Sequence, residues 1–196
     1  METTSRVTGE DWYGRDLTGA RFAGVAFVDV DLTEIQDEGS TFEDCTFAGV
    51  RFNASVHTDA AFANCTFTRC SFFDARFVRC KLVGSSFDRC TFEAMVADGG
   101  NWGFVSLRGA DLRSARFTGT RLREADLSRT RCEGGSLRDA DLSGASFDGA
   151  DLSRCDLRGS DLTGLDLATV RLRGALVTVD QAVVIAECLG LDVRVD

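Results

Sequence analysis

Between Ala140 and Leu167 the chain reads ADLSG ASFDG ADLSR CDLRG SDLTG LDL, a five-residue unit repeated without a break. The centre of each unit is Leu or Phe, the residue two before it is mostly small, and the rest are mainly Asp, Ser, Thr, Arg and Gly. A helix repeats its apolar face every 3.6 residues and an alternating strand every second residue, so a period of five fits neither. Fixed-period self-similarity of this kind is the mark of a solenoid, whose units bury their apolar faces only by stacking on one another. In an extended backbone the centre and the small residue two before it point the same way, inward. Gly, Asp, Asn and Ser in the remaining places can then turn the corner.

Stepping in fives from Trp12, the centres before Val177 are Leu, Phe or Trp except at Asp37, His57, Ala97 and Cys132. The phase is the same on both sides of each exception, so the pattern predicts one repeat domain over residues 12–177, with 1–11 as a loose lead-in. Where the centre shrinks, Ile35 and Met95 are unusually large at the partner position, as a filled interior requires. Residues 34–40 and 53–59 are the least regular and read as bulges or small surface protrusions. The Gly-Gly pair and Trp102 within 95–105 read as a second irregularity, a kink between straight segments.

The unit resembles that of the pentapeptide-repeat family, A(D/N)LXX, at residues 110–112, 125–127, 140–142 and 150–152. That resemblance implies a right-handed quadrilateral β-helix, an all-β solenoid with four units and twenty residues per coil. Asp37, His57 and Ala97 differ by multiples of twenty, so such a coil would set all three on one side of the rod.

Six of the eight cysteines, Cys45, Cys65, Cys70, Cys80, Cys90 and Cys155, occupy the small inward position, where cysteine behaves as a small buried hydrophobe. Cys45/Cys65 and Cys70/Cys90 lie twenty apart, which on stacked coils brings each pair within disulfide reach, at about 5 Å between Cα atoms. Free thiols are the expectation, since nothing points to an oxidising compartment. No CxxC pair occurs and His57 is the only histidine, so no metal site is expected. His57 reads as a residue turned outward at an irregular coil; a partner contact or an acid–base role are the alternatives. No nucleophile–base constellation or phosphate-binding glycine loop is present, which argues against an enzyme, and no cofactor is expected.

The N-terminus lacks the regions of a signal peptide and no run is long enough to span a bilayer, so a soluble, cytoplasmic protein is expected. After Gly174 the five-residue rule gives way to a helix signal: Thr178 with Gln181 three residues on forms a capping box, and Gly190 is a C-terminal stop. Val179, Ala182, Val183, Ile185, Ala186 and Leu189 make one apolar stripe, with Val184 and Cys188 on the far side. One face can cap the open end of the rod. The other, with Leu191, Val193 and Val195 in strand-like alternation, is left for a second copy. Residues 178–196 are thus expected to cap the rod and to dimerise it end to end about a two-fold axis, through Val183, Val184, Ile185, Cys188, Leu189, Leu191 and Val193.

The formal net charge is −9, distributed unevenly: residues 1–60 carry 12 acids against 4 bases, and residues 61–175 carry 15 against 17. A nucleic-acid binder shows the reverse balance. Asp141, Asp151, Asp156, Asp161 and Asp166 stand just before their centres, facing outward, and the last four would ring the rod near the predicted dimer end. Arg154, Arg158, Arg171 and Arg173 sit among them.

Residues 33–47, TEIQDEGSTFEDCTF, and the ending VDQAVVIAECLGL at 179–191 are similar to the fluoroquinolone-resistance branch of the family: its mycobacterial members and, more distantly, the Qnr proteins. That resemblance implies a dimeric rod that mimics B-form DNA, binds DNA gyrase and protects it from quinolones, with the five aspartates as candidate contacts. An interaction solenoid with an unrelated partner is the alternative. About eight coils at about 4.8 Å give a rod of about 40 Å, or about 80 Å for two end to end. Duplex DNA carries a charge every ~1.7 Å and such a dimer one net charge every ~4 to 5 Å, so the mimicry would be partial.

Overall fold

A computed structural model of the chain describes residues 5–163, 166 and 169–194. Leu167, counted above as a centre, and Val195, placed in the tail, lie outside the described residues. The chain winds into a parallel β-solenoid whose coils pair in a strict register of twenty: Phe27 lies opposite Phe47, Phe47 opposite Phe67, and Phe77 opposite Ala97. Twenty residues per coil means four five-residue units, one per side. Four columns result: three are sheets of three-residue strands extended by single bridges, and the fourth is built of bridges alone, beginning Asp11 to Asp31 to Arg51. The five-residue period is therefore the length of one side plus its corner.

The corners explain the polar residues. Most take a left-handed backbone, and among the described residues sixteen non-glycine residues adopt it, mostly Asp, Asn, Arg and Glu, alongside a similar number of glycines. Many aspartates that precede a centre accept a hydrogen bond from the backbone N–H two residues on, as Asp16 does from Thr18 at 2.8 Å and Asp31 from Thr33 at 3.0 Å.

Inside, the centres form one continuous core from Trp12 to Leu162. The phenylalanine rings stack coil upon coil, with centroids 4.6 Å apart for Phe42–Phe62, 4.8 Å for Phe47–Phe67 and 4.7 Å for Phe67–Phe87. These distances match the spacing of neighbouring strands, about 4.8 Å, so the ladder and the aromatic stacks reinforce one another. Ile35 and Met95, the large residues beside the shrunken centres, are both buried.

Three expectations are corrected, and a fourth stretch keeps its register. The ladder begins before Trp12: residues Arg6–Thr8 form a strand paired with Ala26–Val28, so this part of the lead-in already belongs to the rod. Residues 34–40 and 53–59 do not protrude, because Gln36–Glu38 and Val56–Thr58 are strands in register with each other. His57 does not turn outward; it is fully buried with Asp37 and Ser55, and hydrogen bonds between these polar side chains let them occupy a core position. The stretch 95–105 stays in register, with Val96–Asp98 paired on both sides and Asn101 bridged to Lys81 and Arg121.

The helix Val179–Cys188 closes the rod. Its capping box is complete: Gln181 N donates to Thr178 Oγ1 at 3.3 Å and Thr178 N to Gln181 Oε1 at 2.7 Å. The same glutamine is buried and donates from Nε2 to the carbonyls of Leu157 at 2.7 Å and Ser160 at 2.6 Å, pinning the helix to the last coil. Ile185, half-buried, packs against the end of the core alongside Leu172, Ala175 and Val177.

Candidate interaction surfaces

The column register separates the five candidate aspartates over the sides of the rod. Asp151 is bridged between Arg131 and Arg171, Asp156 between Ser136 and Leu176, and Asp161 to Asp141. Asp141 and Asp161 therefore stand one above the other on a single face, while Asp151 and Asp156 occupy two further faces. Asp166 is exposed.

Each aspartate whose bonds are resolved serves its own turn first. Asp141 accepts from Ser143 N at 3.1 Å and Ser143 Oγ at 2.5 Å, Asp151 from Ser153 N at 3.0 Å, and Asp161 from Thr163 N at 2.9 Å. Asp151 takes Arg171 Nη1 at 3.2 Å on its second oxygen, and Asp156 takes Arg158 through Nε at 2.9 Å and Nη2 at 2.8 Å. These donors hold the carboxyls of Asp141, Asp151 and Asp156 below the usual carboxylate range, with Ser143, Ser153 and Arg158 respectively as the leading cause. The result is a set of ionised carboxylates, two of which are directly faced by arginine.

The N-terminal coils differ. Asp29, Glu38, Glu43 and Asp44 are all exposed, and among the described residues no ion pair joins any of them to a cation. Of the acids that do pair there, Asp59 meets Arg79 at 2.6 Å and Asp31 receives Arg51 Nη2 at 2.5 Å, which lowers the Asp31 pKa to about 2. The uncompensated negative charge thus lies toward the start of the rod rather than in the C-terminal ring. The imbalance of 12 acids against 4 bases over residues 1–60 was its sequence signal.

At the other end, Leu176, Val179, Leu189, Leu191 and Val193 are all exposed, Val179 at 82%. Of the residues assigned to dimerisation, Val183, Val184 and Ile185 are half-buried, whereas Cys188, Leu189, Leu191 and Val193 face solvent. These exposed apolar residues near the C-terminus and the charged side chains along the rod are features able to recognise a partner.

Apart from the exposed Cys188 and the half-buried Cys90, the cysteines and His57 are interior. Burial pushes the Cys80 thiol up to about 12, so it is not a nucleophile at neutral pH. All eight cysteines are free thiols. Besides the pairs spaced by twenty, Cys132 and Cys155 bring their sulfurs to 3.5 Å; their separation of 23 residues concealed that contact in the sequence. The cluster Asp37, His57, Ser55 contains residue types used in acyl transfer, but all three are sealed inside the core. Among the described residues no group of three or more His, Cys, Asp or Glu is placed to hold a metal ion, and no helix is long and apolar enough to cross a membrane.

The parallel β-solenoid of five-residue units with inward Leu or Phe matches the fold of pentapeptide-repeat proteins. The sequence profile of pentapeptide repeats matches residues 99–131, 106–144 and 136–174, and that of the SV2A/B/C luminal domain matches residues 17–92. Among solved structures, the chain is similar to full-length QnrB1, a plasmid-mediated fluoroquinolone resistance protein. The two share 20% identity over 95% of this chain and 100% of that one, with a TM-score of 0.45. It is also similar to HetL of a Nostoc cyanobacterium, a pentapeptide-repeat protein involved in regulating heterocyst differentiation. There the identity is 19% over 88% of this chain and 86% of that one, with a TM-score of 0.46. No curated protein matches the chain in sequence.

Proposed function

We propose that this chain is a non-enzymatic DNA mimic of the type of the mycobacterial fluoroquinolone-resistance protein MfpA. It binds the DNA-gate region of DNA gyrase, a type II topoisomerase, inhibits the enzyme and shields it from fluoroquinolones and other gyrase poisons. The observation that carries the reading is a narrow rod with carboxylates at regular axial intervals on its sides and a net charge of −9. A basic groove shaped for duplex DNA meets both the form and the sign of such a rod. In this reading two copies join through the exposed apolar residues at the C-terminal end, and the protein acts in the cytoplasm.

The contact set is drawn from Asp141, Asp151, Asp156, Asp161 and Asp166 together with the unpaired N-terminal acids Asp29, Glu38, Glu43 and Asp44. The arginines facing Asp151 and Asp156 favour a second reading, an interaction scaffold with a different protein partner, because they blunt the field where the dimer would be most DNA-like. The two separate in one assay: gyrase supercoiling and quinolone-induced DNA cleavage with the pure protein titrated in. Inhibition with reduced cleavage supports the mimic, and indifference of gyrase supports the scaffold.

A further inference from the structure

The four bridge columns let every coil-to-coil step be checked. Away from the coil that holds residues 164–168, one step among the described residues lacks its bridge. Ser71 is bridged to Thr91, and Asp111 to Arg131, but Thr91 is not bridged to Asp111. The hydrogen bonds tell the same story. Before the gap, Thr91 N donates to Cys70 O at 3.0 Å and Phe72 N to Thr91 O at 2.9 Å. Beyond it, Arg131 N donates to Ala110 O at 2.9 Å and Leu112 N to Arg131 O at 2.7 Å. Across it, neither the Asp111 N–H to Cys90 O bond nor the Phe92 N–H to Asp111 O bond forms among the described residues. Ala94 N reaches Ser114 Oγ at 3.4 Å in place of a backbone carbonyl. The parted edges line a surface cleft with Cys90, Glu93 and Arg113.

The opposite side of the same coil does the reverse. Two units on, Asn101 N donates to Cys80 O at 2.9 Å and Leu82 N to Asn101 O at 2.8 Å. Gly100 lies so close to the coil below that a Cβ there would come within 2.1 Å of Cys80 O. Backbone packs closely at Gly100 on one side, where the ladder bonds keep ordinary lengths, while the facing ladder stands open, so the break is confined to one column. The core changes at the same level. Phe72 and Phe92 are stacked at 5.5 Å, wider than the 4.9 Å of Phe52 and Phe72 below them, and the next centre in that column is Leu112. The ring stack that stiffens the first half ends there.

We propose that the rod is two rigid segments joined by a hinge at this corner. The Thr91–Asp111 ladder opens and closes while the three intact columns hold the coils in register. Opening exposes only backbone groups that water can satisfy, and closing makes two hydrogen bonds, so the two states differ little in free energy. Such a hinge lets a rod follow a curved partner without unstacking its core, on the microsecond-to-millisecond scale of segment motions.

Nuclear magnetic resonance on the full native chain tests this. Amide exchange should be about 100-fold or more faster at Phe92 and Asp111 than at Thr91 and Leu112, whose N–H groups are bonded. Residual dipolar couplings should require two alignment tensors, one for residues 6–92 and one for residues 111–163. A single tensor that fits both segments would overturn the hinge, whatever the exchange rates, and protection of Phe92 and Asp111 equal to that of their neighbours would remove the gap on which it rests.

Discussion

His57 Nδ1 stands 2.8 Å from Asp37 Oδ2, one coil below it, and neither side chain reaches solvent. The other ring nitrogen is 3.1 Å from Ser55 Oγ, which itself donates to the Phe52 carbonyl at 2.7 Å. Ser40 Oγ donates to Asp37 at 2.7 Å. The imidazole also lies parallel to Phe77 at 4.8 Å, so it continues an aromatic stack while satisfying a buried carboxylate.

Removing one member strands the other. Asp37→Leu or His57→Phe alone should each cost about 3 to 5 kcal/mol of folding stability, whereas the double variant should recover most of the loss. Denaturant unfolding of the two single variants and the double variant measures the coupling. Additive losses would mean the pair is not a unit.

The hydrogen bond from Arg51 lowers the Asp31 pKa to about 2, so its contribution to stability is complete above the unfolded value, about 3.9, and is lost as pH falls through about 2. Asp111, Asp141, Asp151 and Asp156 are shifted in the same direction, by Arg113, Ser143, Ser153 and Arg158 respectively. Thermal melts should therefore hold nearly constant from neutral pH to about 4 and fall below it, and Asp31→Asn should flatten part of that fall. The effect per pair is modest, because Arg51 is 60% exposed.

Gly100 and Gly109 both have positive φ, +85° and +69°, but only Gly100 has backbone in the way. Gly109→Ala meets open space and should cost about 1 to 2 kcal/mol from the left-handed backbone alone. Gly100→Ala should cost clearly more, since the Cys80 carbonyl must move. Equal losses in denaturant titrations would show that the close approach at Gly100 is not kept in solution.

Gln181 ties the capping helix to the rod. Gln181→Leu leaves the Leu157 and Ser160 carbonyls without their donor and removes half of the capping box, an expected loss of about 1 to 3 kcal/mol. If the C-terminal end carries the dimer, the same change should weaken self-association, read by sedimentation across a concentration series. A variant that dimerises normally would detach the helix from that role.

The repeat phase, the inward cysteines and the cap at Thr178 were legible in the sequence because a period of five records side-chain size and turn chemistry unit by unit. What escaped depends on neighbours twenty or more residues away. His57 looked out of place as a centre because its justification, Asp37, belongs to another coil. Gln181 announced its local role in the capping box but not its bonds to Leu157 and Ser160. The kink was expected over residues 95–105, at the Gly-Gly pair and Trp102, whereas the ladder parts across the rod at Thr91 and Asp111, where the five-residue pattern shows no break. The charge ring was read with Arg154, Arg158, Arg171 and Arg173 among its aspartates, but not which carboxylates they meet: the fold sets Arg171 on Asp151 and Arg158 on Asp156.

The most direct test of the mimic is competition. Fluorescent duplex DNA bound to gyrase is titrated with the pure protein at low and at physiological salt, beside a variant with Asp29, Glu38, Glu43 and Asp44 changed to their amides. Displacement of the duplex that is stronger at low salt and weaker for the variant is the predicted result. Gyrase that keeps its DNA at every concentration of the native protein would contradict DNA mimicry.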